Sequence, residues 1–165
     1  MSDIAIEEWG PAHVRWQELL DVVAGLSQME WLTFRAEWHF SSHVLVAQHR
    51  DRITGFLRFV VQEIGPDAGC PPIQWKGESL KEAKVIAFGV SPAWRGKGIG
   101  RLLQWALQQH ALSLGCYQIR SHSSGDNLAN HQLKLSLGYG VHPITRGEDT
   151  RGAYFILPLE RAEKE

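Results

Sequence analysis

A glycine-rich loop is the stretch of this chain whose residue types and spacing best suit chemistry. Three glycines alternate with a lysine and an isoleucine between two arginines: Arg95, Gly96, Lys97, Gly98, Ile99, Gly100 and Arg101. Because glycine lacks a side chain, the backbone N–H groups of such a loop can close around an anion. The helix predicted to begin here adds a partial positive charge, and the basic side chains add full ones. The loop is therefore predicted to bind a pyrophosphate.

Two common nucleotide-binding loops do not match this pattern. A mononucleotide loop needs a serine or threonine after its lysine to hold magnesium, whereas Lys97 is followed by Gly98 and Ile99. A dinucleotide fingerprint follows the first strand of a βαβ unit, whereas this loop lies in mid-chain after a predicted antiparallel hairpin. A magnesium-dependent kinase or GTPase is therefore disfavoured.

The composition indicates one folded domain with no electrostatic preference for nucleic acid. The chain has 165 residues, of which 44% are hydrophobic and 21% charged, and a net charge of −1. This length suits a single core, which we expect over residues 1–160, followed by a charged tail at residues 161–165. Because the chain lacks a run of basic residues, nucleic acid is not an expected partner.

Further sequence features bear on location and metal binding. Residues 1–5 lack the basic and apolar regions of a secretory signal, and no apolar run approaches the roughly 20 residues that span a bilayer. Cys70 and Cys116 lie far apart, and the eight histidines form no ligand motif. We therefore expect a cytoplasmic protein with no membrane partner and no metal.

The first half of the chain predicts a strand, helices and a hairpin. Alternation over residues 4–9 indicates a strand, and apolar spacing over residues 13–26 indicates a helix. Two β-rich runs at residues 44–48 and 53–62 predict an antiparallel hairpin. Residues 64–81 are rich in glycine and proline, which predicts a long loop.

A second helix is predicted just after the first. Ser27-x-x-Glu30 is a capping-box signature, and Trp31, Phe34 and Trp38 follow it at three- to four-residue spacing. Aromatic stripes of this kind are usually buried, so we expect these rings in the core, although they would also suit a pocket wall.

The second half reads as a strand, loop and helix followed by a parallel strand. The apolar run at residues 85–90 is typical of a central strand, and Gly89 within it suggests a bulge or the close approach of a ligand. Residues 99–114 follow the helical repeat, and residues 116–122 predict a strand parallel to the first by a right-handed crossover. The remaining elements are a helix, a strand, a polar loop and a last strand: residues 128–137, 139–144, 145–150 and 151–159.

The loop and its neighbours resemble a known family. Val90-Ser91-Pro92-x-x-Arg95-Gly96-Lys97-Gly98-Ile99-Gly100 is similar to the acetyl-coenzyme A signature of the GCN5-related N-acetyltransferases. Asn127 and the pair Gly138-Tyr139 resemble that family's second signature, and the order of elements matches over essentially the whole chain. The resemblance implies a single α/β (α+β) domain with a mixed, mostly antiparallel sheet of about seven strands, about four helices and one splayed parallel strand pair.

The resemblance also implies where acetyl-coenzyme A binds. The pyrophosphate would lie on the backbone N–H groups of residues 96–101, with Arg95 beside them. The pantetheine arm would pair with the backbone of Phe88 and Val90 in the wedge between the parallel strands. Asn127 would bond the arm from the far side, a role that competes with simple helix capping.

The proton-transfer residues depart from the family pattern. Many members carry a tyrosine acid where this chain has Lys134, which would have to stabilise the thiolate; an exposed helix lysine is the common alternative. No glutamate lies in residues 85–90, so the candidate bases are His122, Glu82 and Glu63. We prefer His122, because an imidazole with a pKa of about 6.5 suits proton abstraction, although a merely exposed strand-end histidine is an even alternative.

The function implied is acetyl-CoA-dependent N-acetyltransfer, directly from the thioester to a primary amine of a small molecule, peptide or protein. The acceptor would enter between residues 145–150 and the side chains of Trp31, Phe34, Arg35 and Trp38. The alternative is a non-catalytic acetyl-CoA-binding module or sensor, since the usual acid and base are replaced. Formation of a homodimer is a further hypothesis.

Overall fold

The computed structural model describes residues 3–146 and 149–160, so the expected tail at residues 161–165 lies outside the described residues. The helices are α1 (Trp16–Gly25), α2 (Met29–Thr33), α3 (Ile99–Ser113) and α4 (Leu128–Ser136). The strands are β1 (Ile4–Trp9), β2 (Ser41–His49), β3 (Arg52–Glu63), β4 (Gln74–Trp75), β5 (Glu78–Ser79), β6 (Lys81–Val90), β7 (Gln118–Ser124), β8 (Gly140–Arg146) and β9 (Asp149–Pro158).

The strands form one large sheet in the order β1-β2-β3-β6-β7-β9-β8, while β4 and β5 form a separate small hairpin. Every neighbouring pair in the seven-stranded sheet is antiparallel except β6 and β7, which are parallel. With the four helices among the described residues, this confirms the predicted fold class. None of the described helices has the length and apolarity that a membrane span requires.

The parallel pair opens into a wedge. β6 and β7 pair only from Glu82 with Gln118 to Val85 with Ser121, yet β6 continues to Val90. Beyond these residues the two strands no longer pair with each other, and we call the gap between them the wedge. The predicted splayed pair is confirmed.

The sheet is buried on both faces, which explains the continuous apolar runs of its central strands. α3 packs Ile99, Leu103 and Leu107 onto one face. α1 contributes Leu19 and Val23 to a second cluster, formed around β2 and β3 on the other face. The wedge is thus held between two packed layers.

Ser27 ends α1 rather than capping α2. Its φ is 59°, and its N–H donates to Ala24 O at 3.0 Å while the N–H of Gln28 donates to Val23 O at 3.1 Å. These two bonds form a Schellman motif with Ser27 in the left-handed position that glycine usually takes. The predicted capping box is wrong, because an N-cap needs an extended backbone and because Gln28, the actual N-cap, makes no side-chain cap.

The aromatic stripe is also not core. α2 ends at Thr33, and Phe34 already has an extended ψ of 131°, so Trp31, Phe34 and Trp38 do not share a helical face. Their exposed fractions are 48%, 42% and 37%. Phe34 instead contacts Trp31 and His39 edge-on, with ring centroids 6.2 and 5.8 Å apart.

The bulge in β6 lies earlier than predicted. Ile86 is the extra residue in the register with β3, and Gly89 pairs regularly with Phe56. Gly89 is nevertheless a point of close approach: a Cβ there would lie 2.9 Å from Leu26 Cδ1 and 3.0 Å from Gln28 Nε2. Two of the three side chains that press on Gly89 thus belong to the segment after α1, and the third, that of Phe56, belongs to β3.

Candidate active site

An open cavity of about 840 Å³ occupies the wedge. This volume is within the range of ligand sites. Its wall combines β6, the glycine loop, the ends of β7 and the starts of α3 and α4 with the segment between α1 and α2. The polar or aromatic residues among those that line it are Ser27, Gln28, Trp31, Phe88, Trp94, Arg95, Arg101, Ser121, His122, Ser123, Ser124, Asn127 and Asn130.

The glycine loop leads directly into α3. Gly96 and Gly98 have φ values of 73° and 83°, a left-handed backbone that other residues adopt only at a cost. Gly98 is the N-cap of α3 and offers no side-chain cap, so the first N–H groups of the helix are left for another acceptor. A Cβ at Gly98 would meet nothing within 4 Å, so the space beside the loop is open.

Backbone polar groups of β6 face the wedge. The Ser91 N–H donates to Thr54 O of β3 at 2.9 Å. Since antiparallel pairs alternate between bonded and non-bonded positions, Phe88 and Val90 direct their N–H and C=O groups away from β3. The edge that a strand-like ligand would pair with is therefore built into the register of β6 against β3.

Side chains already cover that edge. Gln28 Nε2 donates to the Phe88 carbonyl at 2.9 Å, and the Phe88 N–H donates to Gln28 Oε1 at 3.1 Å. Arg95 Nε donates to the Val90 carbonyl at 3.0 Å. Sequence reasoning missed Gln28, since no motif or periodicity marks it.

The start of α4 supplies amides to the opposite wall. Asn127 is the N-cap of α4, and its side chain accepts from the Asn130 N–H at 3.2 Å. Asn130, which sequence reasoning missed, donates through Nδ2 to Ser123 Oγ at 3.0 Å. Its Oδ1 is buried with no hydrogen-bond partner among the described residues.

Lys134 is fully buried. Its Nζ lies 5.8 Å from the Phe88 ring centre and 5.1 Å from that of Tyr139, with no hydrogen-bond partner in the described part of the chain. Burial lowers the pKa of Lys134 to about 8. The exposed-lysine alternative is wrong, because α4 turns this side chain inward against a ring that lines the cavity.

His122 lines the cavity from β7. Its ring makes an edge contact with Tyr154, with centroids 5.6 Å apart. A Cβ on Gly152, in the neighbouring strand β9, would lie 2.6 Å from His122 Nε2. The missing side chain of Gly152 therefore makes the space that the imidazole occupies.

The acetyltransferase (GNAT) family model matches residues 7–139. The chain belongs to the GNAT family. Among its relatives, the aminoglycoside N(6')-acetyltransferase type 1 of Stenotrophomonas maltophilia is 32% identical over 83 residues, half of each chain. The mycothiol acetyltransferase of Nocardiopsis dassonvillei is 37% identical over 65 residues, 39% of this chain and 19% of that protein. The chain thus spans half or less of the length of these curated relatives.

Solved GNAT-like structures share the fold at low sequence identity. Arabidopsis thaliana NAA60 in complex with acetyl-CoA has a TM-score of 0.69 and 12% identity, over 94% of this chain and 99% of that one. YncA of Salmonella typhimurium with acetyl-CoA has a TM-score of 0.64 and 19% identity, over 98% and 97% of the two chains. The seven-stranded sheet with its wedge is therefore the GNAT architecture.

Within this GNAT fold, Glu82 lies outside the cavity wall. It is fully buried on the closed part of the parallel pair, where its carboxylate accepts from Gln62 and Gln118 at 2.9 Å each and from Arg120 at 2.7 Å. Glu82 is therefore not a candidate base, since these contacts engage its carboxylate and hold it away from the wedge. Glu63, paired with Lys81 at the end of β3, is likewise outside the wall.

The acceptor residues are only partly brought together. Trp31 lines the cavity, whereas Phe34, Arg35 and Trp38 lie outside its wall. Arg58 fixes Trp31 by donating to its carbonyl at 2.7 Å. Part of the predicted acceptor loop, residues 147–148, lies outside the described residues.

Proposed function

We propose that the protein is an acetyl-CoA-dependent N-acetyltransferase that moves an acetyl group directly from the thioester to a primary amine of a small molecule or peptide. The observation that carries this proposal is the wedge itself. The N–H groups at the start of α3 lie at one end, where no side chain among the described residues caps them, and the wedge-facing backbone groups of Phe88 and Val90 lie along one side. An anionic head and an amide-bearing arm fit these two features together.

The residues present fit coenzyme A. Backbone N–H groups of residues 96–101 would hold the pyrophosphate, flanked by the Arg95 side chain. Phe88, Val90 and Asn127, which all line the cavity, would hold the arm. When bound, the coenzyme supplies a thioester as the electrophile.

His122 is our candidate base. The acceptor amine must lose a proton before its lone pair can form the new C–N bond, and His122 stands in the cavity wall to receive that proton. An imidazole titrates near neutral pH, which suits this exchange.

Lys134 is our candidate for the leaving-group side. Breaking the C–S bond places negative charge on sulfur, and a buried ammonium against the Phe88 ring offsets that charge strongly in a low dielectric. Lys134 lies behind the cavity wall, so it would act on the sulfur through its charge and not by direct contact. It thus replaces the tyrosine of other members with a cation.

The aromatic part of the wall bears on the acceptor. Arg95 and Arg101 lie at the glycine loop, where the pyrophosphate of the donor would neutralise them, so their charge does not select the acceptor. An amine joined to an apolar group can lie against Trp31. We therefore propose a monoamine acceptor that carries an apolar group. A cytoplasmic location and a homodimer stay predictions; the thiols of Cys70, exposed, and Cys116, buried, support the former.

The function is tested by release of free coenzyme A thiol from acetyl-CoA in the presence of single amines. We expect thiol release with at least one monoamine that carries an apolar group or with a peptide N-terminus. If calorimetry showed that acetyl-CoA binds but no amine of the panel caused thiol release, the result would favour the non-catalytic binding module and overturn the transferase.

Gly152→Ala tests the base through its neighbour. The added methyl would lie 2.6 Å from His122 Nε2, so the imidazole must move while the backbone remains acceptable. We expect the turnover number to fall about tenfold or more, with an altered pH–rate profile and nearly unchanged binding of acetyl-CoA. Gly140→Ala is the matched control, because its Cβ would have 3.7 Å of clearance from Ile156 O. Equal activities of the two variants would exclude His122 as the base.

A further inference from the structure

Gln28 makes an unusual use of its side chain. The carboxamide forms two hydrogen bonds with one residue: Nε2 donates to the Phe88 carbonyl at 2.9 Å, and Oε1 accepts from the Phe88 N–H at 3.1 Å. These are wedge-facing backbone groups in the strand edge that lines the cavity. A side-chain amide is therefore paired with the strand as the amide of a neighbouring strand would be.

The local fold aims Gln28 at this position. The Schellman end of α1, with Ser27 at φ 59°, turns the chain so that Gln28 begins α2. At the other side, Gly89 leaves room: a Cβ there would be only 3.0 Å from Gln28 Nε2. Because two independent features, a left-handed serine and a glycine, serve this contact, it is part of the architecture of the site.

The same backbone groups are those that the coenzyme would use. The pantetheine arm contains secondary amides, each with one N–H and one C=O, which is the pair of groups that Gln28 presents to Phe88. One N–H and one carbonyl on the same strand edge cannot serve both partners at full strength. Resting on the proposed function, we propose that Gln28 is an internal stand-in for the pantetheine arm, released from Phe88 when the donor binds.

A second contact has the same character. Arg95 Nε donates to the Val90 carbonyl at 3.0 Å, so the other wedge-facing residue is also covered by a side chain in this state. Arg95 comes from the glycine loop and Gln28 from the segment after α1. Two separate segments of the chain therefore cover the two wedge-facing residues of β6. When the donor binds, its arm must replace the hydrogen bonds that Gln28 and Arg95 make to the strand. Gln28 therefore satisfies the Phe88 backbone groups in the free protein and lowers the affinity for the donor.

The direction of this effect separates a stand-in from a ligand contact. An interaction present only in the free protein lowers affinity by its net free energy. Gln28→Met, which keeps the length of the side chain and removes both polar groups, is therefore expected to tighten coenzyme A binding about tenfold. That factor corresponds to ~1.4 kcal/mol, the order expected for two neutral hydrogen bonds.

The measurement is calorimetry on the full chain with two probes: coenzyme A and its nucleotide half, which lacks the arm. We expect Gln28→Met to tighten binding of coenzyme A and to leave the nucleotide half unchanged. Gln17→Met is the matched control, because its amide donates to the exposed Asp21 side chain at 3.1 Å and lies outside the cavity wall, so it should change neither affinity.

Each other outcome contradicts the stand-in role. Weaker coenzyme A binding by Gln28→Met would make Gln28 a ligand contact, and unchanged binding would make its bonds irrelevant to the donor. Equal tightening of both probes would place the effect outside the arm. If the wild-type protein itself did not bind coenzyme A, the proposed function would fail together with the stand-in role. If the wild type binds and only the effect of Gln28→Met is missing, the stand-in role alone fails. Exchange of the Phe88 amide hydrogen, faster in Gln28→Met without ligand while the other amides of β6 keep their protection, verifies that the variant folds with only this bond lost.

Discussion

Gly98→Glu is expected to abolish measurable coenzyme A binding. The residue caps α3 at a φ of 83°, and open space lies beside it. A glutamate there would place a carboxylate against the position of the pyrophosphate, in the partial positive field that otherwise attracts the anion. We expect affinity to fall by about two orders of magnitude or more, measured by calorimetry.

A matched variant separates charge from backbone strain. Gly69 also has a left-handed φ, 75°, with nothing within 4 Å of its Cβ position, and it lies outside the cavity wall. Gly69→Glu should therefore show the strain cost alone and bind coenzyme A normally. Gly98→Ala should retain part of the affinity. Undiminished binding by Gly98→Glu would rule out the glycine loop as the pyrophosphate site.

Lys134→Met is expected to stabilise the protein and to slow acetyl transfer at the same time. Burial lowers the pKa of Lys134 from 10.5 to about 8, so keeping this side chain charged in the folded state costs on the order of 3 kcal/mol at neutral pH. Methionine removes that cost and fills a similar volume. If the ammonium offsets thiolate charge, thiol release should fall about a hundredfold.

The pH dependence of stability carries a specific sign. Between pH 8 and 10.5 the unfolded chain keeps a proton on Lys134 that the folded chain has released. The free energy of unfolding contributed by this group therefore rises through that window, and its penalty is fully present below it. We therefore expect the difference in denaturant midpoint between Lys134→Met and the wild type to become smaller between pH 7 and pH 10.

Lys81→Met serves as the control for Lys134→Met, because Lys81 is exposed at the start of β6. It should leave the stability profile and the turnover close to wild type. A Lys134→Met protein that is less stable than wild type at pH 7, or equally active, would contradict the role proposed for this lysine.

The burial of side chains in the site could not be predicted from the sequence pattern. The spacing of Ala129, Leu133 and Leu137 marks one apolar face of α4, yet the fully buried residue is Lys134, which follows Leu133. Its environment is made by Phe88 and Tyr139, which the sequence separates by some fifty positions but the sheet brings together. No local period encodes such a contact.

The sequence by itself determined the glycine loop, the order of the elements and, through them, the family. Those features depend on local requirements: glycine for a left-handed backbone, alternation for strands and helical spacing for α3. Only the tertiary structure decided that Glu82 is held by Arg120 outside the wedge, and that Gln28 covers Phe88. The reason is physical, because strand register, one bulged residue and the angle at which α1 ends determine which side chains meet across the sheet.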